Sequence, residues 1–383
     1  MADTRVAVLI ELAVGYRQAV IKGLWNFLET QPDWRIQGAE SLAGELNALR
    51  RWKPQGVIVG IHDLGLARAL ARLHVPVVDV FNWFNLPNFT QVSVDDQAVG
   101  CMAAEYFLSH GLKTFAVIGD ISIRFASQRY AGFSKTLASS GFTCSHIEVG
   151  RLQTAWTSEF STGPDMAVRR ELMDLPKPSG VFSINDDWAA KVIELCHRDG
   201  LRVPDDIAVL GVDNEELLCN MARPPLSSIE TGAERVGWQA GNALAQLLDG
   251  REVPNPLLLA PIRVVERQST DVFAIEDQEV LAAVRFIQAN AHRGVNVRDV
   301  LRTVPTRRRT LEHQFRGILG RSILDEIQRS RVTRAKTLLA TTDLKLSVVA
   351  HRSGFGNARH LSRVFRQVAG ETPAGFRRHQ AME

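Results

Sequence analysis

Short apolar runs alternate with amphipathic segments in the first part of the chain. Runs of strand length, such as VAVLI (6–10) and VIVGI (57–61), are apolar at nearly every position, whereas the segments between them carry apolar residues at helical spacing. Strands that are apolar on both faces are typical of a parallel sheet covered by helices on both sides. The alternation occurs in two consecutive series, so it predicts an α/β domain with two lobes at 1–270.

The pattern changes to helical spacing alone after residue 280. Two stretches there, 297–319 and 347–368, each indicate a short helix, a tight turn and a second helix. This is the helix-turn-helix pattern, whose second helix enters the major groove of DNA. We therefore predict an all-α domain with two helix-turn-helix motifs at 281–383, joined to the α/β domain by a linker at 271–280.

The apolar positions of these helices predict which side chains face inward. In the long helix predicted over 322–340, the spacing assigns to the inner face Leu324, Ile327, Ala335, Leu338 and Leu339. In the last motif the small core is predicted to contain Val348, Val349, Leu361, Val364 and Phe365. Basic residues occupy the remaining face of that motif's second helix.

Charge is divided unevenly between the two parts of the chain. Residues 1–274 hold 25 Lys and Arg against 32 Asp and Glu, a net charge of −7, whereas residues 275–383 hold 20 against 10, a net charge of +10. These sum to the +3 of the whole chain. A basic domain behind a mildly acidic one indicates a polyanionic partner, most simply double-stranded DNA.

Several classes of protein are disfavoured by what the sequence lacks. The four cysteines have no metal-type spacing, and ELAVGYRQ (11–18), which follows the first strand, has no phosphate-binding glycine loop. We therefore expect no catalytic site, metal or cofactor, although an α/β enzyme is one alternative. A basic leader and a membrane-length apolar run are also missing, so we expect a cytoplasmic protein without a membrane partner. This opposes the second alternative, an exported sugar-binding transport protein.

Polar residues follow several of the predicted strands. They include Glu11, His62, Asp79 and Asp213. The carboxyl ends of parallel strands meet at one edge of a sheet, where ligands of open α/β folds bind. Carboxylates and amides that bridge vicinal hydroxyls, with aromatic rings over the C–H face, suit a polyol. Helix capping is the alternative role for acidic residues at such positions.

The sensor region resembles a known fold at several motifs. GVFSINDDWAAKVI (180–193), the run from VDNEEL to PPLSSI (212–229) and RYAGF (129–133) resemble the sugar-sensing domains of the lac-repressor family, which have the periplasmic-binding-protein type I fold. The resemblance implies two lobes that close on a small ligand. Its implied ligand contacts are Arg129, Asn185, Asp186 and Asp213. The candidate stacking partners for a sugar ring are Tyr16, Trp83 and Trp156.

The C-terminal region resembles the AraC-type DNA-binding domain. The resemblance rests on Ala350, Gly354, Phe355, Leu361, Phe365, Gly370, Pro373, Phe376 and Arg377. It implies that the first recognition helix presents Arg308, Arg309, Glu312 and His313 to DNA. It implies that the second presents Arg359, His360 and Arg363. The first motif departs from the family pattern, with Pro305 in the turn and Arg307 at the position of the capping Ser, so we expect Thr306 to cap its helix instead.

Taken together, the two domains resemble the xylose-operon regulators of bacteria. This resemblance implies a homodimeric, sugar-responsive transcription regulator that activates a pentose (xylose) utilisation operon, with operator DNA, a sugar effector and RNA polymerase as its partners. A repressor, or a regulator of the same class that senses another sugar, is the alternative within the class.

Overall fold

The computed structural model describes residues 4–11, 15–38, 49–149, 164–271 and 277–381. The candidate stacking residue Trp156 lies outside these residues.

The α/β domain contains two parallel sheets. Its strands are β1 (Thr4–Leu9), β2 (Trp34–Gly38), β3 (Gly56–Val59), β4 (Val77–Asp79), β5 (Thr90–Val94), β6 (Thr114–Ile118), β7 (Ser145–Ile147), β8 (Ser179–Ser183), β9 (Ile207–Val212), β10 (Ser227–Glu230), β11 (Leu257–Leu259) and β12 (Arg263–Val265). Within the described residues they form two six-stranded sheets, ordered β11-β5-β4-β3-β1-β2 and β12-β10-β9-β8-β6-β7. Strands β10 and β12 pair antiparallel, unlike the other described pairs.

Helices cover these sheets and form the rest of the chain. Those of the α/β domain are α1 (Tyr16–Leu28), α2 (Leu64–Ala71), α3 (Asp96–Ser109), α4 (Arg124–Ser139), α5 (Pro164–Asp174), α6 (Asp186–Arg198), α7 (Glu216–Met221) and α8 (Ala233–Leu248). Those that follow are α9 (Gln278–Asn290), α10 (Val297–Leu301), α11 (Arg308–Leu319), α12 (Ile323–Thr341), α13 (Leu346–Arg352), α14 (Ala358–Ala369) and α15 (Pro373–Ala381). The predicted fold class, a two-lobed α/β domain before an all-α domain with two helix-turn-helix motifs, is confirmed.

The apolar runs form the interior strands of the two sheets. Every residue of β3 and of β9 is buried, as the sequence of each strand requires when helices cover both faces of a sheet. The chain crosses between the lobes three times among the described strands, after β5, after β10 and after β11, because each of these strands is followed in sequence by a strand of the other sheet. Each lobe therefore contains segments that are distant in sequence.

Glycines let two pairs of helices approach backbone to backbone. A Cβ at Gly237 of α8 would lie 1.8 Å from the carbonyl oxygen of Val20 in α1. A Cβ at Gly100 of α3 would lie 2.0 Å from the carbonyl oxygen of Arg129 in α4. These distances leave no room for a side chain, so the sequence at these glycines sets the spacing of the helices.

The C-terminal domain has two apolar cores, one for each motif. Helix α12 contributes to both, with Ile323 and Ile327 in the first core and Val332, Ala335 and Leu339 in the second. The predicted inward positions were wrong in two places: Leu324 is 49% exposed and Val348 is 37% exposed. Leu324 lies in the first turn of α12, where the neighbouring Ile323 faces the core instead.

Arg331 joins the two motifs where the cores meet. Its Nε donates to the carbonyl oxygen of Ala291 at 3.1 Å and its Nη2 to that of Val295 at 2.5 Å, both in the first motif. Its guanidinium also lies 5.8 Å from the ring centroid of Phe355, in the turn of the second. Gly354 (φ 83°) reaches the same backbone, where a Cβ would lie 2.2 Å from the Ala291 oxygen. These contacts therefore hold the two motifs in one relative orientation.

The α1–α8 contact predicts the effect of adding one methyl group. Gly237→Ala should lower the free energy of unfolding of the α/β domain by about 1–3 kcal/mol, because backbone atoms cannot move aside for the Cβ. The change can be followed by calorimetric unfolding of the full chain. Gly317→Ala is the matched control, since nothing lies within 4 Å of a Cβ there, and it should raise stability by about 0.5–1 kcal/mol. Equal effects of the two substitutions would contradict the packing argument.

Candidate ligand site and nucleic-acid interface

Arg129 lies at the centre of a buried polar cluster between the two lobes. It is on α4 and is 4% exposed. Its Nε donates to Oδ1 of Asp96 at 2.8 Å, its Nη1 donates to the carbonyl oxygen of Ile184, and its Nη2 lies 3.8 Å from Oδ1 of Asp213. Burial opposes its charge, but the two carboxylates outweigh that effect and raise its pKa further. The guanidinium is therefore a fixed positive charge in this site.

Asp96, the first residue of α3, links Arg129 to the first lobe. Its Oδ2 accepts a hydrogen bond from Nδ2 of Asn82 at 2.7 Å. Asn82 follows β4 and also donates to Gln128 at 2.8 Å, while its own Oδ1 accepts from Gln91 at 2.8 Å. Sequence analysis did not assign Asp96 to the site, because an aspartate at the start of a helix has an ordinary capping role. The sequence signal for it is its position two residues after β5, where the chain leads into the other lobe.

Asp213 presents a carboxylate oxygen to the same cluster. It follows β9, and its φ of 104° and the φ of 53° at Asn214 place both residues in the left-handed region. Its Oδ1 is buried and has no hydrogen-bond partner among the described residues, although Arg129 lies near it. Burial raises the pKa of Asp213 to about 6, against the effect of Arg129. A buried acceptor without a donor requires an explanation, and a ligand hydroxyl would supply the missing donor.

Asn185 and Asp186 begin α6 but differ in their surroundings. Oδ1 of Asn185 caps the helix by accepting from the backbone N–H of Trp188 at 2.9 Å. Asp186 is 3% exposed, and its carboxylate accepts from Oγ of Ser228 at 2.6 Å and from the backbone N–H of Glu215 at 2.8 Å. Burial raises the pKa of Asp186 to about 8. The structure thus directs Asp186 into the protein, where it supports the loop after β9.

Aromatic side chains surround the cluster. The hydroxyl of Tyr16 donates to the carbonyl oxygen of Val80 at 3.0 Å, and burial raises the pKa of Tyr16, with Asp96 and Asp213 adding to the effect. The ring of Trp83 lies 6.4 Å from that of Phe125, which in turn lies 5.0 Å from the guanidinium carbon of Arg129. The structure therefore brings the predicted Tyr16 and Trp83 to the site and adds Phe125, which sequence analysis missed.

The first candidate recognition helix is α11. Arg308, Arg309 and His313 are exposed on it, and Arg308 forms an ion pair with the half-buried Glu312 at 2.9 Å. The expected Thr306 cap was wrong: the helix begins at Arg308, with Arg307 in the capping position and no side-chain cap. Arg307 has no short acceptor to offer the first N–H groups, so this helix end stays open to an anion.

The second candidate recognition helix is α14. Asn357 caps it by accepting from the backbone N–H of His360 at 2.8 Å. Arg359 and Arg363 are exposed on its outer face. His360 is half-buried, with its ring 5.4 Å from that of Phe355, and burial and nearby arginines lower its pKa. The two arginines thus project into solvent, while His360 packs against the turn.

Comparison with known families assigns three parts of the chain. The family described as XylR N-terminal domain matches residues 5–95, the periplasmic binding protein-like domain matches residues 104–270, and a helix-turn-helix domain matches residues 301–379. The xylose operon regulatory protein of Escherichia coli strain K12 is 28% identical over 97% of this chain and 96% of its own length. The chain is an AraC-type transcription regulator with a periplasmic-binding-protein-like sensor domain.

Other relatives agree with this assignment. The xylose operon regulatory protein of Haemophilus influenzae is 26% identical to the regulator over 97% of this chain and 98% of its own. A solved structure of the xylose-binding transcription activator XylR has a TM-score of 0.60 and 27% identity, covering 97% of each chain. A LacI regulator from a Rhodococcus species, with a TM-score of 0.59, 22% identity and coverage of 70% of this chain and 99% of its own, supports the sensor fold alone.

The xylose operon regulatory proteins and the XylR activator are transcription regulators, which confirms the interpretation of the regulator as a non-enzymatic protein. Among the residues that the structure describes, none of the helices is both long and apolar enough to span a membrane.

The inward orientation of Asp186 can be tested by stability. Asp186→Ala should destabilise the sensor domain by about 1–3 kcal/mol for each buried donor that it leaves unpaired, at Ser228 and at the Glu215 N–H. Asp187→Ala removes a carboxylate from the same helical turn and should cost only about 0.3–1 kcal/mol. Calorimetric unfolding measures both. If Asp186→Ala were as stable as the wild type, the assigned hydrogen bonds would be wrong.

Proposed function

We propose that the regulator is a cytoplasmic, xylose-responsive activator of an operon for pentose utilisation. One observation carries the proposal: a buried polar cluster around Arg129 lies between two sensor lobes that are linked in one chain to two helix-turn-helix motifs. The likeness to xylose operon regulatory proteins extends over 97% of the chain, and this supports xylose as the effector.

The chemistry of the cluster suits a pentose. The free Oδ1 of Asp213 can accept from one hydroxyl, while Arg129 and the amide of Asn185 can contact neighbouring hydroxyls. Rings such as Trp83 and Phe125 can cover the apolar C–H face of the sugar. Asp186 is left out of this set because its carboxylate is used inside the protein.

The proposed response is a shift between two arrangements of the lobes. Xylose stabilises one arrangement only to the extent that it binds that arrangement better. In a homodimer, this shift changes how the two DNA-binding domains are presented to the operator and to RNA polymerase.

Each subunit is proposed to read DNA through two recognition helices. Helices α11 and α14 would enter successive major grooves, which lie about 34 Å apart on one face of the duplex. Arg308, Arg309, Glu312 and His313 would face the first groove and Arg359, His360 and Arg363 the second. Arginine is the commonest specific reader of guanine, through a bidentate pair of hydrogen bonds to O6 and N7.

A sugar panel tests the effector. Xylose should raise the melting temperature of the full chain more than arabinose, ribose, glucose or galactose, because a ligand at 100 times its Kd stabilises the folded state by about 2.7 kcal/mol. Asp213→Ala should abolish the xylose shift and leave sugar-free DNA affinity within threefold of the wild type.

The exposed Asp205→Ala is the control and should keep the full shift. A larger shift with another sugar would replace xylose as the effector. An unchanged xylose titration in Asp213→Ala would reject the assigned site. Transcription from the bound promoter in vitro, with xylose added, separates activation from repression by the sign of its change.

The second recognition helix is tested with DNA selected from random sequence by the wild-type protein. Arg359→Ala should weaken binding by about 1–3 kcal/mol and relax selectivity at about one base position. Arg366 is exposed on the same helix, and we assign it to a phosphate contact. Arg366→Ala should therefore weaken binding to all sequences alike, with a salt slope lower by about 1. Competition binding at several salt concentrations measures both. Unchanged selectivity in Arg359→Ala would show that α14 is misassigned.

A further inference from the structure

Helix α3 has one end in the candidate ligand site. Its first residue, Asp96, is 3% exposed and accepts hydrogen bonds from Arg129 and Asn82. The helix has 14 residues, which corresponds to about 21 Å at 1.5 Å per residue. A displacement of Asp96 therefore moves one end of a helix that behaves as a rigid unit.

Helix α3 is also held against the helix that carries Arg129. A Cβ at Gly100 of α3 would lie 2.0 Å from the carbonyl oxygen of Arg129, and a Cβ at Gly132 of α4 would lie 2.1 Å from that of Gln97. Two helices in backbone contact on both sides cannot slide independently over small distances, because close packing leaves no gap between them. A ligand that repositions Arg129 thus moves α3 with it.

The other end of α3 contacts the last residues of the α/β domain. The hydroxyl of Tyr106, in its last turn, lies 2.7 Å from Oγ1 of Thr270, which is 2% exposed and is hydrogen-bonded to Ser227. The buried ring of His110 lies 4.3 Å from that of Tyr106 at an interplanar angle of 47°, and its Nδ1 lies 2.8 Å from the Tyr106 carbonyl oxygen. This end of the helix is therefore tied to the chain just before the predicted linker.

Arg321 connects this end to the first recognition helix. Its Nη2 donates to the carbonyl oxygen of Ser109, the last residue of α3, at 3.5 Å. Its Nη1 donates to the carbonyl oxygen of Leu319, the last residue of α11, at 3.2 Å. Its Nε lies 2.5 Å from Oε2 of Glu326, and the two side chains are 12% and 4% exposed.

Arg321 places a positive charge between the C-terminal ends of two helices. The carbonyls at the C-terminus of a helix carry partial negative charge, so a guanidinium shared by the ends of α3 and α11 stabilises both. Because the ion pair with Glu326 is shielded from water, a small displacement of Ser109 changes the energy of the contact more than it would at the surface.

We propose that Arg321 is a positioning residue that couples the ligand site to the first recognition helix, with α3 as the connecting rod. Displacement of Asp96 at one end of α3 changes the Arg321–Ser109 contact at the other and, through Leu319, the orientation of α11. The sugar-dependent part of this proposal rests on the proposed function, whereas the coupling between the two ends of α3 does not.

A double-mutant cycle without sugar tests the coupling directly. Asp96→Asn and Arg321→Lys are compared singly and together for Kd on the selected DNA duplex. We expect the effect of the double variant to differ at least threefold from the product of the single effects, because coupled sites are not additive. The matched control pairs Asp96→Asn with Arg316→Lys, an exposed arginine of α11, and should be additive. Additivity of the Arg321 cycle would overturn the proposal.

A second measurement uses Tyr106→Phe, which removes one hydroxyl and keeps the ring, so it tests the route even if Arg321→Lys folds poorly. The ratio of DNA Kd with and without xylose should fall at least fivefold toward 1 in this variant, while xylose Kd and sugar-free DNA Kd stay within threefold of the wild type. Tyr130→Phe, on α4, is the control and should keep the full ratio.

The two measurements separate failure of the inference from failure of the proposed function. If the DNA Kd of the wild-type protein does not change with xylose, xylose is rejected as the effector. The sugar-free double-mutant cycle would still show whether Asp96 and Arg321 are coupled. A wild-type response that persists unchanged in Tyr106→Phe and Arg321→Lys would place the route elsewhere.

Discussion

A buried guanidinium must find acceptors inside the protein, and this constraint organises the sensor domain. Arg129 donates to Asp96 at the start of α3 and to the Ile184 carbonyl after β8, and its charge also lies 3.8 Å from the Asp213 carboxylate after β9. Breaking one partner of a buried charge pair costs much more than the pair itself contributes. The loops at these strand ends are therefore held in one arrangement before any ligand arrives, and Oδ1 of Asp213 is buried there without a hydrogen-bond partner among the described residues.

The same constraint explains why the ligand site can influence distant residues. Asp96 belongs both to the cluster and to α3, and Asn82 ties it to the first lobe. A change in lobe arrangement must either keep these bonds and move α3, or break them and leave buried groups unpaired. The first course costs less, because a helix moves as a unit while an unpaired buried donor or acceptor costs about 1–3 kcal/mol.

The sequence predicted the strands and helices, which depend on the periodicity of apolar residues. It did not predict side-chain orientations that depend on tertiary contacts. Uniformly apolar runs such as VIVGI indicated interior strands, and the helix-turn-helix spacing located α11 and α14. The family resemblance implied a ligand contact for Asp186. Its position after a strand is compatible with both orientations of its side chain, and only the approach of Ser228 from β10 decides between them. Leu324 was misassigned because α12 serves two cores, so no single stripe describes its buried face.

The C-terminal domain shows a second use of a buried arginine. The two motifs have separate apolar cores, and apolar packing within each core does not fix the angle between them. Arg331 supplies directional contacts at that boundary, to two carbonyls of the first motif and to the ring of Phe355 in the second. Hydrogen bonds constrain orientation where apolar contacts do not, so this residue and the continuous helix α12, which contributes to both cores, together set the spacing of the two recognition helices. In both domains, therefore, an arginine with directional contacts lies at the boundary between two substructures: Arg129 between the sensor lobes and Arg331 between the two motifs. Apolar residues form the interior of each substructure.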